Sequence, residues 1–197
     1  MQPAPPYVNI HTHRPVGRGI ELRTAGIHPW EAGRRTVNEL LPLDAGVQAI
    51  GETGLDFAVD VPSEAQYAAF RGQLELARQL KLPVVIHCVR AFNEVMHELQ
   101  TLPPRAAIFH GFIGSPEQAQ QALHAGYYLS FGERSFRSPK TVEALRATPL
   151  SHLFLETDDD DRPIEAVYAH AAELLGLAEE ELRAAAWENY RHLFLNI

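Results

Sequence analysis

The sequence predicts an α/β fold, a (β/α) barrel of about seven parallel strands that is incomplete or distorted near its N-terminus. Three observations carry this. Short β-type runs alternate along the chain with longer helical patterns. The runs at 84–86 and 107–109 are apolar throughout, as expected of strands covered on both faces. Nearly every run ends in an imidazole or a carboxylate, so parallel strands would carry these groups to one rim.

In order, the expected strands are 7–10, 22–27, 47–51, 83–87, 106–110, 126–131 and 152–157. The expected helices are roughly 33–41, 63–80, 91–101, 116–125, 138–147, 162–175 and 178–194. The first strand is Tyr7-Val8-Asn9-Ile10. The stretch from His13 to Ile27 is too short for a helix plus a strand, hence the incomplete barrel. Ser63, followed by Glu64 and Gln66, reads as a helix N-cap. Tyr67, Phe70, Leu74, Ala77 and Leu80 then recur three or four apart as one apolar stripe. Gly114-Ser115-Pro116-Glu117 reads as a serine cap with proline in the first turn. Gly126 after Ala125 reads as a helix stop.

At 197 residues the chain is expected to be one domain, 1–197, with a full core. No repeat or low-complexity tract interrupts it, and the one charge run is Asp158 to Asp161. The net charge of −8 disfavours non-specific affinity for nucleic acid. Local positive charge is available at Arg14, Arg18, Arg23, Arg34 and Arg35, which a solvated surface also explains. The single cysteine, Cys88, excludes an intramolecular disulfide and suits a reducing compartment. Met1 to Pro6 lacks a basic-then-apolar signal, and no apolar run approaches the ~18 residues of a membrane span. A cytoplasmic protein is expected, with no membrane contact and no obligate protein partner evident.

The groups at the strand ends have the composition of a metal site. His11 and His13, two apart on a strand, project to one side. Glu52, in Gly51-Glu52-Thr53-Gly54-Leu55-Asp56, offers two oxygens after the third strand, where the glycines allow tight turning. His87 and His110 each close an apolar strand, and Asp158 closes the last, with Glu156 on the same face. Four imidazoles and two carboxylates form a ligand set for two divalent ions, and such pairs suit phosphate-ester hydrolysis. Imidazole-rich ligation favours zinc, while manganese, nickel, iron or magnesium fit mixed nitrogen and oxygen donors. Asp56 has two open roles, orienting a histidine ligand or capping the next helix. Glu156 needs a hydrogen-bonding neighbour to be buried in ionised form. His28, in Gly26-Ile27-His28-Pro29-Trp30, is expected to contact substrate or to cap structure. Arg90 and Arg137 are candidates to hold a phosphate. Cys88 reads as a small core residue. His97, His124, His152, His170 and His192 are expected to be non-catalytic.

The ordered set His-x-His, Gly-Ile-His-Pro, Gly-Glu-x-Gly-Leu-Asp, Val-Ile-His, His-Gly-Phe and Leu-Glu-Thr-Asp resembles the TatD-type metal-dependent deoxyribonucleases. The resemblance runs from Tyr7 to about Phe194 and includes a C-terminal Asn-x-x-x-x-Phe at Asn189 and Phe194. It implies a TIM-like barrel, two metal ions and hydrolysis of phosphodiester bonds in DNA or a smaller phosphodiester. It carries ligand roles to His11, His13, Glu52, His87, His110 and Asp158, with Glu52 as the bridge. Asp158 would also orient the attacking water and take its proton, making Glu52 and Asp158 the catalytic carboxylates. His28 and Arg137 fall on substrate positions. The chain departs from the pattern at Asn9, where an aspartate is usual, and at Val89, where an arginine is usual and Arg90 comes next. It departs again at Asp159-Asp160, in place of Ala-Pro, and in lacking a βα unit after His-x-His.

Two rival readings use the same residues. A small-molecule amidohydrolase or lactonase would attack a carbonyl carbon, but often bridges its metals with a carboxylated lysine. Glu52 occupies that place here, and neither Lys81 nor Lys140 ends a strand. A metal-binding protein without catalysis would also keep the ligands. No Gly-x-Ser-x-Gly elbow, P-loop or dinucleotide fingerprint is present.

Overall fold

The computed structural model describes residues 4–195, so the first three residues of the proline-rich start lie outside the described residues. Strands and helices follow one another as β1 (Val8–Asn9), β2 (Ile20–Glu21), β3 (Thr24–Ala25), β4 (Ala49–Asp56), α1 (Ser63–Leu80), β5 (Val84–Val89), α2 (Phe92–Thr101) and β6 (Ala107–Phe109). Then come α3 (Pro116–His124), β7 (Tyr128–Phe131), α4 (Glu133–Phe136), α5 (Pro139–Ala147), β8 (Leu153–Leu155), α6 (Ile164–Leu175) and α7 (Glu179–Tyr190). They group into two compact units. The first comprises the chain up to Leu22 and from His110 onward; the second is Arg23–Phe109.

In the second unit β3, β4, β5 and β6 pair side by side, all parallel. The hydrophobic centre comprises Ile27, Ile50, Leu55, Phe70, Leu74, Ile86 and Leu99, each essentially inaccessible to water. β4 is longer than the expected 47–51 because the Gly-Glu-Thr-Gly segment stays in the sheet rather than turning away. It does so around a bulge: Ile50 pairs with Val84 and Thr53 with Ile86, so β4 carries one extra residue. A bulge re-aims the side chains beside it, and here Gly51 and Glu52 together stand opposite the single residue Val85. Gly54 is obligatory for the close approach of β4 and β5. Its φ is +147°, and a Cβ there would sit 2.0 Å from the His87 carbonyl oxygen.

α1 begins with Pro62 rather than Ser63 as its cap, because Pro62 O already accepts from Ala65 and Gln66 N–H. Its buried face also differs from the expected stripe. Leu80 is exposed, and Gln66 and Gln73 are buried in its place. Gln73 accepts from Ile27 N–H at 2.6 Å and donates to Ile27 O at 3.0 Å. Gln66 accepts from Asp56 N–H at 2.8 Å and donates to Asp56 O at 2.9 Å. Each amide satisfies both polar groups of one buried peptide residue where sheet pairing has ended. The helix expected at 33–41 is a single 3-10 turn, Val37–Leu40. A Thr36–Glu39 capping box closes that turn, and Pro42 cannot supply the N–H of a longer helix.

In the first unit β1 pairs with β2 and β7 with β8, both parallel. β1 also joins β8: Ile10 N–H donates to Leu155 O, Asp158 N–H to His11 O and His13 N–H to Asp158 O, at 3.2, 3.1 and 2.9 Å. Of the strand expected at 22–27 only β3, Thr24–Ala25, forms; β2 is a further short strand before it, and no helix lies between His13 and Ile27. Ile10, Phe131, Phe154 and Tyr168 are fully buried here. The short helix α4 has no counterpart among the expected elements. The expected 178–194 helix ends at Tyr190 and continues as a π-helical turn through Leu195. Among the described residues no helix is long and apolar enough to cross a membrane.

Candidate metal centre

In the first unit, the β1–β8 junction gathers imidazoles around a carboxylate. Asp158 Oδ1 lies 3.4 Å from His13 Nε2 and 3.6 Å from His11 Nε2, and the two imidazole nitrogens are 3.3 Å apart. The His110 ring lies against that of His11, tilted by 50° with centroids 4.3 Å apart. Asp158 takes a left-handed backbone, φ +53°, uncommon for a side-chain-bearing residue and characteristic of functional positions. β8 therefore does not simply continue its alternation through Asp158. Asn9 braces the turn: its Nδ2 donates to Thr157 Oγ1 at 2.9 Å, and its Oδ1 accepts from Thr157 N–H at 3.1 Å. The carbonyl half of that pair needs only an oxygen, but the other half uses the amide N–H that an aspartate would lack.

Glu156 is wholly buried. Its Oε1 accepts from Gly111 N–H at 2.7 Å and lies 3.2 Å from His110 Nδ1, which leaves His110 Nε2 to point elsewhere. This is the neighbour that the sequence required of a buried glutamate, and it is how a carboxylate fixes the tautomer of a ligating histidine. Burial pushes the Glu156 carboxyl up, but the His110 charge and hydrogen bond, with His11, outweigh it and hold the group low. Asp158 is raised, first by burial and then by the Glu156 charge.

In the second unit, the β4 bulge brings Glu52 Oε1 into contact with His87 Nδ1 and within 3.2 Å of His28 Nε2. His28 Nε2 is 3.3 Å from His87 Nδ1. His28, expected to touch substrate, thus stands among potential ligands. Asp56 orients this group. Its Oδ2 lies 3.2 Å from His87 Nε2 and accepts from the Trp30 indole N–H at 2.7 Å, while Oδ1 accepts from Ala58 N–H at 2.9 Å. Burial raises the Asp56 carboxyl, but these hydrogen bonds bring it below its ordinary value. Asp56 therefore faces a histidine, whereas the expected cap on the next helix does not form: its Oδ1 closes a local turn at Ala58, and α1 is capped at Pro62.

Three groups of donors, His11–His13–Asp158, His110–Glu156–Asp158 and His28–Glu52–His87, each have one ligand atom per residue within 4.8 Å of the others. Nitrogen and carboxylate oxygen converging so closely fit a divalent cation, which offsets the mutual repulsion of their lone pairs. The expected arginines behave differently. Arg90 is exposed at a left-handed turn just past β5, and Arg137 is exposed at the end of α4. The guanidinium beside Asp158 is that of Arg134, 3.9 Å from Asp158 Oδ2 and 2.7 Å from Asp159 Oδ2. Sequence reasoning missed Arg134 because α4 was not foreseen. It passed over Trp30, although that residue follows a chemistry-bearing histidine by two. A cavity of about 360 Å³ opens beside Asn9 and Thr157, with Arg14, Arg18 and Arg162 among its walls. Cys88 is half-buried rather than a core residue, and burial pushes its thiol up to about 12. His152 stacks on Tyr128 and His170 pairs with Glu133, both structural roles.

A family model described as TatD related DNase matches residues 20–195. The chain belongs to the TatD-related DNase family. The matched segment contains His28, Glu52, Asp56, His87, His110, Glu156 and Asp158, while His11 and His13 precede it. Among TatD-family relatives, the Bacillus subtilis uncharacterized metal-dependent hydrolase YabD is 31% identical over 86% of this chain and 75% of its own length. A 3'-5' ssDNA/RNA exonuclease TatD from Erwinia billingiae is 35% identical over 76% of this chain and 60% of its own length. The crystal structure of the TatD homologue YjjV from Escherichia coli K12 superposes with a TM-score of 0.79 at 30% identity, covering 89% of this chain and 77% of that one. That likeness assigns the chain to the expected α/β, TIM-like class. This TatD-family chain spans from about half to three quarters of the length of the first curated relatives it matches.

Proposed function

We propose that this TatD-family hydrolase cleaves phosphodiester bonds in single-stranded nucleic acid with the help of two divalent ions. The observation that carries the reading is the presence, in each unit, of a set of histidines and carboxylates drawn together by backbone devices: the left-handed Asp158 and the β4 bulge. One ion belongs with His11, His13 and Asp158, near His110, and the other with Glu52 and His87, near His28. Ions bound there supply Lewis acidity, which makes water acidic near neutral pH and offsets charge on phosphoryl oxygens.

The protein's own groups supply the rest. Glu156 and Asp56 hold His110 and His87 in fixed tautomers, so that little reorganisation accompanies the reaction. Asp158 orients the attacking water and accepts its proton. Arg134, anchored on Asp159, presents a guanidinium beside Asp158 where negative charge accumulates on the phosphate. The adjoining cavity sets Arg14, Arg18 and Arg162 against Glu21, Asp160, Asp161 and Glu165, so it adds no net positive charge, and bound cations are what would draw a polyanion to a chain of net charge −8. The likeness to the Erwinia billingiae 3'-5' ssDNA/RNA exonuclease TatD supports the substrate class, and imidazole-rich donors support zinc.

Elemental analysis, followed by assay on bis-p-nitrophenyl phosphate and single-stranded DNA across a panel of divalent ions, tests this reading. About two ions per chain, with cleavage abolished in Glu52→Ala, is the expected result. Metal bound without cleavage of either substrate overturns the phosphodiesterase reading. No metal under any condition overturns the ligand set.

A further inference from the structure

Trp30 is a large apolar side chain, 55% exposed, beside the histidines of the second unit. It is nonetheless firmly held. Its backbone lies in the 3-10 turn Pro29–Glu31, and its own N–H donates to His28 Nδ1 at 3.2 Å. Its indole N–H donates to Asp56 Oδ2, the oxygen that also faces His87 Nε2. The indole meets the His28 ring edge to face at 4.7 Å, and His28 meets His87 at 4.5 Å. A hydrogen bond and a ring contact therefore fix the polar edge of the indole, while more than half of the side chain stays in water. An aromatic held this way loses little freedom when something stacks on it. It also stands two ring-to-ring steps from a candidate metal ligand.

We infer that Trp30 is a stacking platform for a nucleobase of the substrate, seating the base next to the phosphate that a cation at Glu52 and His87 would hold. The inference rests on the phosphodiesterase reading above and deepens it, since it selects base-bearing polymers over simple phosphodiesters. The chemistry fits. Every nucleobase has an aromatic face, so one rigid indole accepts any of them, and stacking adds affinity without reading sequence. A carboxylate on the indole N–H makes the ring more electron-rich, which favours stacking on the electron-poor faces of bases. Trp30 also shares the Asp56 carboxylate with His87, so occupancy of the platform and orientation of His87 have a common partner.

The test uses fluorescence. The chain has two tryptophans, so in a Trp187→Phe background Trp30 is the sole indole emitter. Metal-loaded protein is titrated with a phosphorothioate oligothymidylate and with an abasic oligomer of equal length and charge. Saturable quenching by the first and not by the second is expected. Trp30→Ala should weaken oligothymidylate binding roughly 5- to 150-fold and bring the affinity ratio of the two oligomers towards one. Trp30→Phe, which retains a stacking face, should recover most of the ratio, and a thermal melt of each variant checks the fold. Equal quenching by both oligomers, or none while DNA is still cleaved, overturns the role of Trp30 and leaves the phosphodiesterase reading intact. Failure to bind or cleave any oligomer overturns both.

Discussion

Replacing Gln73 by leucine should weaken the second unit out of proportion to its chemistry. The side chain is completely buried in α1 and is near leucine in size, so no cavity opens. What is lost is the pair of bonds to Ile27, 2.6 Å to its N–H and 3.0 Å to its carbonyl. Ile27 is itself buried, and water cannot replace the amide. Two stranded backbone groups cost about 1–3 kcal/mol each, hence about 2–6 kcal/mol together. Burying leucine instead of an amide returns up to about 2 kcal/mol. A net loss of about 0–6 kcal/mol remains, centred near about 3 kcal/mol, and at roughly 2–4 °C per kcal/mol for a chain of this size the central value lowers the melting temperature by about 6–12 °C. Because Ile27 precedes His28, metal-dependent activity should fall as well. Differential scanning calorimetry measures the first effect. Hydrogen exchange at the Ile27 amide checks its cause, and the exposed Gln100→Leu serves as control. A melting shift no larger than that of Gln100→Leu, with Ile27 exchange still protected, would refute the claim that α1 holds the Ile27 peptide in place.

Glu156→Gln keeps an acceptor for Gly111 N–H but removes the charge facing His110; metal affinity should drop about 10–100-fold with little change in melting temperature, and unchanged affinity by isothermal titration would count against Glu156 as the group that orients His110. The Glu98 carboxyl, nearly inaccessible and hydrogen-bonded by Arg71 at 2.6 and 2.7 Å, is held below its ordinary value by that bond despite burial. Its contribution is therefore complete above the unfolded pKa of roughly 4.3 and disappears as pH falls through the lower folded value. Wild type should exceed Glu98→Gln in stability at pH 7, the difference closing in denaturant titrations below about pH 4; a constant difference down to pH 3 contradicts the ion pair. Cys88, its thiol pushed up to about 12, should react with iodoacetamide at pH 8 roughly a thousandfold more slowly than in urea, and equal rates by mass spectrometry would show that the thiol is not shielded.

The strands and the candidate ligands at their ends were legible because they depend on local pattern. Apolar runs such as Val84–Ile86 and Ala107–Phe109 mark buried parallel strands wherever they occur, and an imidazole at the end of such a run is conspicuous. Helices with strong stop and start chemistry, such as α3 with Ser115 and Pro116, were placed within a residue. The one-turn Val37–Leu40 was overextended because its capping box and Pro42 compete over a few residues, and pattern alone does not decide between them.

What the amino-acid sequence determines by itself is therefore the strand-helix alternation, the identity of the histidines and carboxylates that close the strands, and the family to which their order belongs. What only the tertiary structure decides is how those groups are held. Gln66 and Gln73 acquire their partners only when α1 packs on the sheet and buries them against Asp56 and Ile27. Arg134 rather than Arg137 meets Asp158 because a four-residue helix, with no periodic signature of its own, sets the direction of the chain. Trp30 acquires meaning only through the carboxylate it shares with His87, 31 residues from Asp56 in sequence. Local pattern encodes which face of an element is apolar. The partner of a buried polar group is fixed only when distant segments are brought within hydrogen-bonding distance, because that bond is what makes its burial affordable.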